Sequence, residues 1–166
     1  MKTNTAKYIT RAAIIGGLYT ALTLALAPIS YGPVQFRVSE ALTVIPLIFP
    51  ETAVGLILGC LISNIFSPNP LDLILGTAAT LVAAAATVAV GKTVKKTWLK
   101  IVLGELPPIL VNALIVPLTF LSASDVKTAY WLNVALVGAG QAAVIITLGT
   151  LLYFLVDRSK DRLLKP

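Results

Sequence analysis

Five long stretches of this chain carry no charged residue: Ala12 to Phe36, Thr52 to Leu71, Leu73 to Gly91, Leu106 to Ser124 and Thr128 to Val156. Each approaches or exceeds the ~20 apolar residues that take a helix across a bilayer. They are continuously apolar and lack the strict alternation of a transmembrane barrel strand, so helices are expected. Composition agrees, with 57% hydrophobic and 12% charged residues and a mean hydropathy of +0.91. A soluble domain carries about a quarter charged residues. The expected fold is an all-α integral membrane protein, one domain over residues 1–166.

The charges that remain are grouped. Lys2, Lys7 and Arg11 precede the first window, Lys92, Lys95, Lys96 and Lys100 separate the third from the fourth, and Arg158, Lys160, Arg162 and Lys165 follow the last. These hold eleven of the thirteen basic residues, leaving Arg37 and Lys127. Basic residues in short loops mark the cytoplasmic side, so all three clusters are expected inside. Parity then requires an even number of crossings before Lys92, and Val34 to Pro50 must supply the fourth, with Glu51 in a tight inner turn. The expectation is six helices at roughly 8–28, 35–50, 52–66, 72–91, 100–121 and 130–156, with both termini cytoplasmic. The net charge of +6 is therefore a topology signal, and no nucleic-acid partner is expected.

Several functions are excluded. Gly91 to Thr93 reads GKT, but a phosphate-binding loop needs glycine five residues before Gly91, where Ala86 stands. The chain does not bind ATP for power. It has no histidine, and Cys60 is alone in the middle of the third span, so neither a disulfide nor a cysteine metal site is expected. No nucleophile stands beside a base, and no enzyme, catalytic residue or cofactor is expected. The N-terminal Lys2 to Arg11, an apolar run and ALA at 25–27 imitate a secretory signal. Pro28 directly after the small residues and five further spans favour a retained first helix.

Polar side chains inside a membrane are costly and usually face protein or a cavity. Gln35, Arg37 and Glu40 open the second span, with Arg37 and Glu40 three apart on one helical face. They form either an interfacial ion pair or a pair lining an outward-facing pocket, one orienting the other. Asn64, Asn69 and Asp72 flank the proline-bearing outer turn between spans three and four. Tyr130, Trp131 and Asn133 open span six, where the two aromatics also fit an interfacial belt. Asn112 and Gln141 lie near the midplane of spans five and six, and Glu105 is two turns from Asn112 on the same face. Amides so placed can bridge helices. Taken together, polar groups on four or five spans point to one cavity for a small, nitrogen-rich ligand. On span one, Ala13, Gly17, Ala21 and Ala25 form a stripe of small residues that lets a helix approach closely. That helix belongs either to the same chain or to a separate membrane subunit.

The segments YGPVQFRVSEALTVIP (Tyr31 to Pro46), NPLD (Asn69 to Asp72) and ELPPILVNALIV (Glu105 to Val116) resemble the QueT family over essentially the whole chain. Its members are substrate-binding S-components of energy-coupling-factor transporters. The resemblance implies multi-pass residence in the bacterial cytoplasmic membrane. It implies a queuosine precursor as substrate, a 7-deazaguanine such as the 7-aminomethyl or 7-cyano base, or queuine. It also implies a membrane scaffold subunit and two cytoplasmic ATPases as partners, with the span-one stripe as the docking face. A deazaguanine presents adjacent N–H donors, a carbonyl and a flat ring. Glu40 is expected to accept the donors in bidentate fashion, oriented by Arg37, with Asn112 and Gln141 reading from below and Trp131 or Phe36 walling the ring. Asp72 and Glu105 compete for an aminomethyl cation. An S-component for another vitamin-like solute, and a helical membrane protein that transports nothing, stay open as alternatives.

Overall fold

The computed structural model describes residues 2–32, 34–120 and 126–164, with the backbone alone for 2–4, 126–129 and 161–164. The end of the fourth uncharged window (121–124), Lys165 and the side chains of Lys2, Lys127 and Arg162 lie outside the described residues. Among those described, the chain is helical and contains no strand.

Helix α1 runs Lys2–Ala25 and is followed by a single turn, α2, at Ala27–Ser30, with Pro28 in its second position. A 3₁₀ segment occupies Val38–Leu47. Helix α3 spans Thr52–Ile65. A π turn at Asp72–Gly76 leads into α4, Thr77–Thr93. Helix α5 covers Thr97–Ile115 and tightens into a 3₁₀ turn at Val116–Phe120. Helix α6, Val126–Val144, continues through a π turn at Ile145–Gly149 into α7, Thr150–Leu164. Four runs are long and apolar enough to cross a membrane: Thr5–Ala25, Asp72–Thr93, Thr97–Phe120 and Tyr130–Lys160. They coincide with the expected spans one, four, five and six. The expected spans two and three correspond to Val38–Leu47 and Thr52–Ile65, apolar but shorter.

The second span is the main departure from the sequence reading. The helix does not begin at residue 35: Gln35 has φ 47° and Arg37 is extended, with φ −87° and ψ 102°. The ten residues that follow wind as 3₁₀ rather than α, a form that seldom runs beyond one turn. Pro46, which lacks an N–H and crowds the carbonyl four residues back, sits inside the segment. Its environment compensates, since α1, α3, α4, α5, α6 and α7 all pack on it and Ser39 to Leu47 are buried throughout. The shortest helix among the expected spans is the hub of the bundle. At 2.0 Å per residue it is about 20 Å long, two thirds of a hydrocarbon core.

Glycine sets how closely the neighbours approach. A Cβ on Gly55 would lie 2.0 Å from the Ala12 carbonyl oxygen, and one on Gly59 would lie 2.6 Å from that of Gly16. Helices α1 and α3 therefore touch backbone to backbone, the contact geometry that small residues allow in lipid. Leu47, at the far end of the 3₁₀ segment, is clasped in the same way between Gly91 of α4 and Gly104 of α5. Beyond it Arg11 pairs with Glu51 at 2.9 Å and lies over the Phe49 ring. Arg11 and Val156 line one groove, and Gly91 directly precedes Lys92. The basic clusters thus gather at one end of the bundle.

Candidate functional site

At the opposite end, the buried polar residues converge on the start of the 3₁₀ segment. Tyr19 of α1 donates its hydroxyl to Glu40 Oε1 at 2.5 Å. Asn112 of α5 donates Nδ2 to Glu40 Oε2 and to Gln141 Oε1 of α6, each at 3.3 Å. Behind them Thr23, one turn beyond Tyr19, shares a 2.7 Å hydrogen bond with Ser39. Glu40, Asn112 and Gln141 were expected together from sequence, and they form one network across three elements.

Arg37 does not pair with Glu40. Among the described residues the ion pairs are Arg11–Glu51 and Lys160–Asp157. The extended backbone at Arg37 turns its side chain away from the helix, where Nε donates to the Ser30 carbonyl at 3.2 Å and the guanidinium lies 5.2 Å from the Tyr31 ring centre. Tyr31 is in turn held by donating to the Ser63 carbonyl at 2.6 Å. Glu40 is oriented by Tyr19 and Asn112 instead.

A second group stands across from this one, where α3 ends and the π turn begins. Asn64 Nδ2 donates to the Asp72 backbone carbonyl at 2.9 Å and to Cys60 Sγ at 3.3 Å. Ser67 donates to Asp72 Oδ2 at 2.5 Å, and Asn69 ties this turn to α5 by donating to the Thr119 carbonyl at 2.6 Å. Gly76 closes the turn because a Cβ there would stand 2.9 Å from Asn64 Nδ2.

Buried polar groups are nearly always hydrogen-bonded, and leaving one unpaired costs about 1–3 kcal/mol. Five buried side-chain atoms of the described residues have no partner: Ser30 Oγ, Gln35 Oε1, Gln35 Nε2, Asn64 Oδ1 and Asp72 Oδ1. All five belong to this end of the bundle. Gln35 is the extreme case, 1% exposed with its whole amide unpaired on a left-handed backbone. Such strain persists only where the surroundings hold it. Here Val34 is pressed onto α6, its carbonyl 2.4 Å from where a Cβ on Gly140 would be, one residue before Gln141. The site offers unpaired acceptors, one unpaired amide donor, a carboxylate and a guanidinium, and the described residues bring together no metal-binding cluster.

Other sequence expectations fall elsewhere. Trp131 is 66% exposed and makes an edge contact with Tyr130, which donates to the Leu114 carbonyl. Phe36 is 37% exposed. Neither walls the buried site: Phe36 is turned outward while Gln35 and Arg37 on either side of it are buried. Asn133 is half-buried with no partner in the network. Glu105 accepts from Thr150 of α7 at 2.6 Å, about 10 Å along α5 from Asn112 and beside the Leu47 end. Tyr19, Thr23, Ser30 and Tyr31 were not singled out from sequence. The pair Tyr19 and Thr23, polar residues four apart within an apolar span, was the available signal.

The stripe on α1 divides. Gly16, with Ala12, packs on α3, whereas Ala13, Gly17, Ala21 and Ala25 are exposed, and a Cβ on Gly17 would meet nothing within 4 Å. Ala13, Gly17 and Ala21 edge an apolar groove that Gly55 and Gly59 also line, on the side of α1 opposite Tyr19.

Comparison with known proteins gives a family match, described as QueT transporter, over residues 9–158. Over 84 residues the chain is 40% identical to a protein named queuosine precursor transporter QueT from Lactococcus lactis subsp. cremoris (strain MG1363). That alignment covers 49% of this chain and 50% of the relative, so the chain spans about half the length of the curated relative it matches. No solved structure matches.

Proposed function

Because the chain belongs to the QueT transporter family, we propose that it is the substrate-binding S-component of an energy-coupling-factor importer for a queuosine precursor. It is a multi-pass membrane protein of a transporter family, not an enzyme. In this reading it crosses the bacterial cytoplasmic membrane six times, with both termini and the basic clusters inside and the polar site facing out. The two short helices complete the count of six, and the basic residues at one end set the orientation.

The observation that carries the ligand assignment is the set of five unpaired buried atoms around Glu40 and Arg37. A 7-deazaguanine supplies what they lack. Its lactam edge, one N–H beside one carbonyl, matches the unpaired amide of Gln35. Its exocyclic amine adds donors for Glu40, whose oxygens each accept only one hydrogen bond from the protein. Substrates of this polarity are discriminated sharply, since a ligand lacking a matching group leaves buried polar atoms unpaired.

The exposed edge of α1 at Ala13, Gly17, Ala21 and Ala25 serves as the docking face for the scaffold subunit, which in turn carries the two ATPases. Tyr19 contacts Glu40 from the other face of the same helix, so ligand and scaffold meet on opposite sides of α1. Two measurements test the proposal. Calorimetric titration of the purified protein is expected to show tight binding of a 7-deazaguanine and none of guanine or of a vitamin; the reverse pattern overturns the substrate assignment. Gly17→Leu is expected to abolish uptake and copurification with the scaffold while ligand affinity stays within about twofold, because a bulky side chain removes the close packing that drives association in lipid. Lost ligand binding with an intact complex would assign the stripe to internal packing.

A further inference from the structure

The buried charges at the site do not balance. Glu40 and Asp72 are buried carboxylates, 1% and 3% exposed, and Arg37 is the buried cation beside them. Counted as ionised groups they leave one negative charge in a water-poor place, where an unpaired charge is expensive.

The surplus is localised. Glu40 has a donor on each oxygen, from Tyr19 and Asn112, and Arg37 is engaged with Ser30 and the Tyr31 ring. Asp72 receives Ser67 on Oδ2 and nothing on Oδ1. Asn64 donates its amide to the Asp72 carbonyl, an orientation Gly76 makes room for, and so its own Oδ1 remains without a donor. Two adjoining residues therefore present two unpaired acceptors, one formally charged, and no free hydrogen between them.

A neutral acceptor placed there, such as a nitrile nitrogen, would set lone pairs against lone pairs. An ammonium group supplies several N–H donors and the missing positive charge. We propose that Asn64 and Asp72 form a subsite for a cationic amine on the side arm of the ring ligand. This rests on the deazaguanine reading above and narrows it: the chain takes ammonium-bearing 7-deazaguanines in preference to the nitrile-bearing base. Glu105, the other carboxylate the sequence offered for this role, is already held by Thr150 and belongs to the Leu47 end.

Calorimetric titrations with 7-aminomethyl-7-deazaguanine and 7-cyano-7-deazaguanine test it. Wild-type protein should bind the amine at least ~tenfold more tightly, the scale of a hydrogen bond to a charged group. Asp72→Asn should weaken the amine by ~tenfold or more beyond any loss for the nitrile, so the preference collapses. Equal wild-type affinities, a preference for the nitrile, or an equal loss of both ligands in Asp72→Asn would overturn the subsite while leaving the deazaguanine assignment standing. If neither base binds wild-type protein, the ligand class itself fails and the subsite with it. Should melting curves show Asp72→Asn to be unfolded, the wild-type preference decides alone.

Discussion

The two ends of the 3₁₀ segment are built on opposite terms. At Leu47 the backbone is pressed on Gly91 and the side chain on Gly104, Phe49 is covered by Arg11, and Arg11 is paired with Glu51. At Glu40, ten to fifteen ångströms away by 3₁₀ rise, four neighbouring residues keep five buried atoms unpaired. The Leu47 end has packing that holds the bundle together, and the Glu40 end has polar groups waiting for donors and acceptors. The difference separates stability from binding along one short helix. A residue that costs stability at one end is expected to matter for ligand, and the reverse at the other.

The largest effect expected from this contrast is on stability. Leu47→Ala removes the side chain packed on Gly104, where a glycine backbone cannot move in to replace it. Buried Leu→Ala changes cost about 2–5 kcal/mol, so a marked fall in melting temperature is expected, with the affinity of folded protein for a deazaguanine within a few-fold of wild type. A large affinity loss at unchanged stability would erase the distinction between the ends.

Next comes Glu40→Gln. The carboxamide keeps the shape but cannot accept from Tyr19, Asn112 and the ligand donors together. Binding should weaken by roughly thirtyfold or more, about 2 kcal/mol. If affinity holds while the melting temperature drops, Glu40 is a brace between helices and not a ligand contact.

The smallest effect has the most telling sign. Gln35→Leu removes two unpaired buried polar atoms at similar size, so ligand-free protein should gain about 1–2 kcal/mol in stability while deazaguanine affinity falls. Melting curves with and without ligand read both quantities. A destabilised apo protein would show that the Gln35 amide is paired in the ligand-free state, which would sharpen the comparison by removing the most strained member of the set.

How far each end could be read in advance follows from chemistry. Glu40, Asn112 and Gln141 were legible because polar atoms in an apolar run must find one another, and few were available. Asn64 and Asp72 were legible as polar residues at a proline-rich turn, but their relation was not: it depends on the π turn that starts at Asp72 and on the room left by Gly76. Tyr19 went unnoticed because a lone tyrosine in a span is ordinary. Only its position over Glu40 marks it, and that comes from α1 packing backbone to backbone on α3.

What the sequence by itself determined is what scales with composition along the chain. Uncharged stretches demanded helices, because backbone polar groups in lipid must be satisfied within the segment. The grouped lysines and arginines demanded a common end. The span-one stripe demanded a close neighbour but could not say which: the Gly16 side packs on α3 while the Gly17 side is open. Tertiary structure alone decided the form of the second span and the use of its charges. Gln35 is left-handed, Arg37 is extended and the following ten residues wind as 3₁₀ because six helices surround that segment and fix its path. Local spacing, which put Arg37 and Glu40 on one helical face, has no access to that constraint. The extended turn sends Arg37 to Ser30 and Tyr31 and leaves Glu40 to Tyr19 and Asn112, since side-chain pairing in a buried site follows the backbone direction that packing imposes.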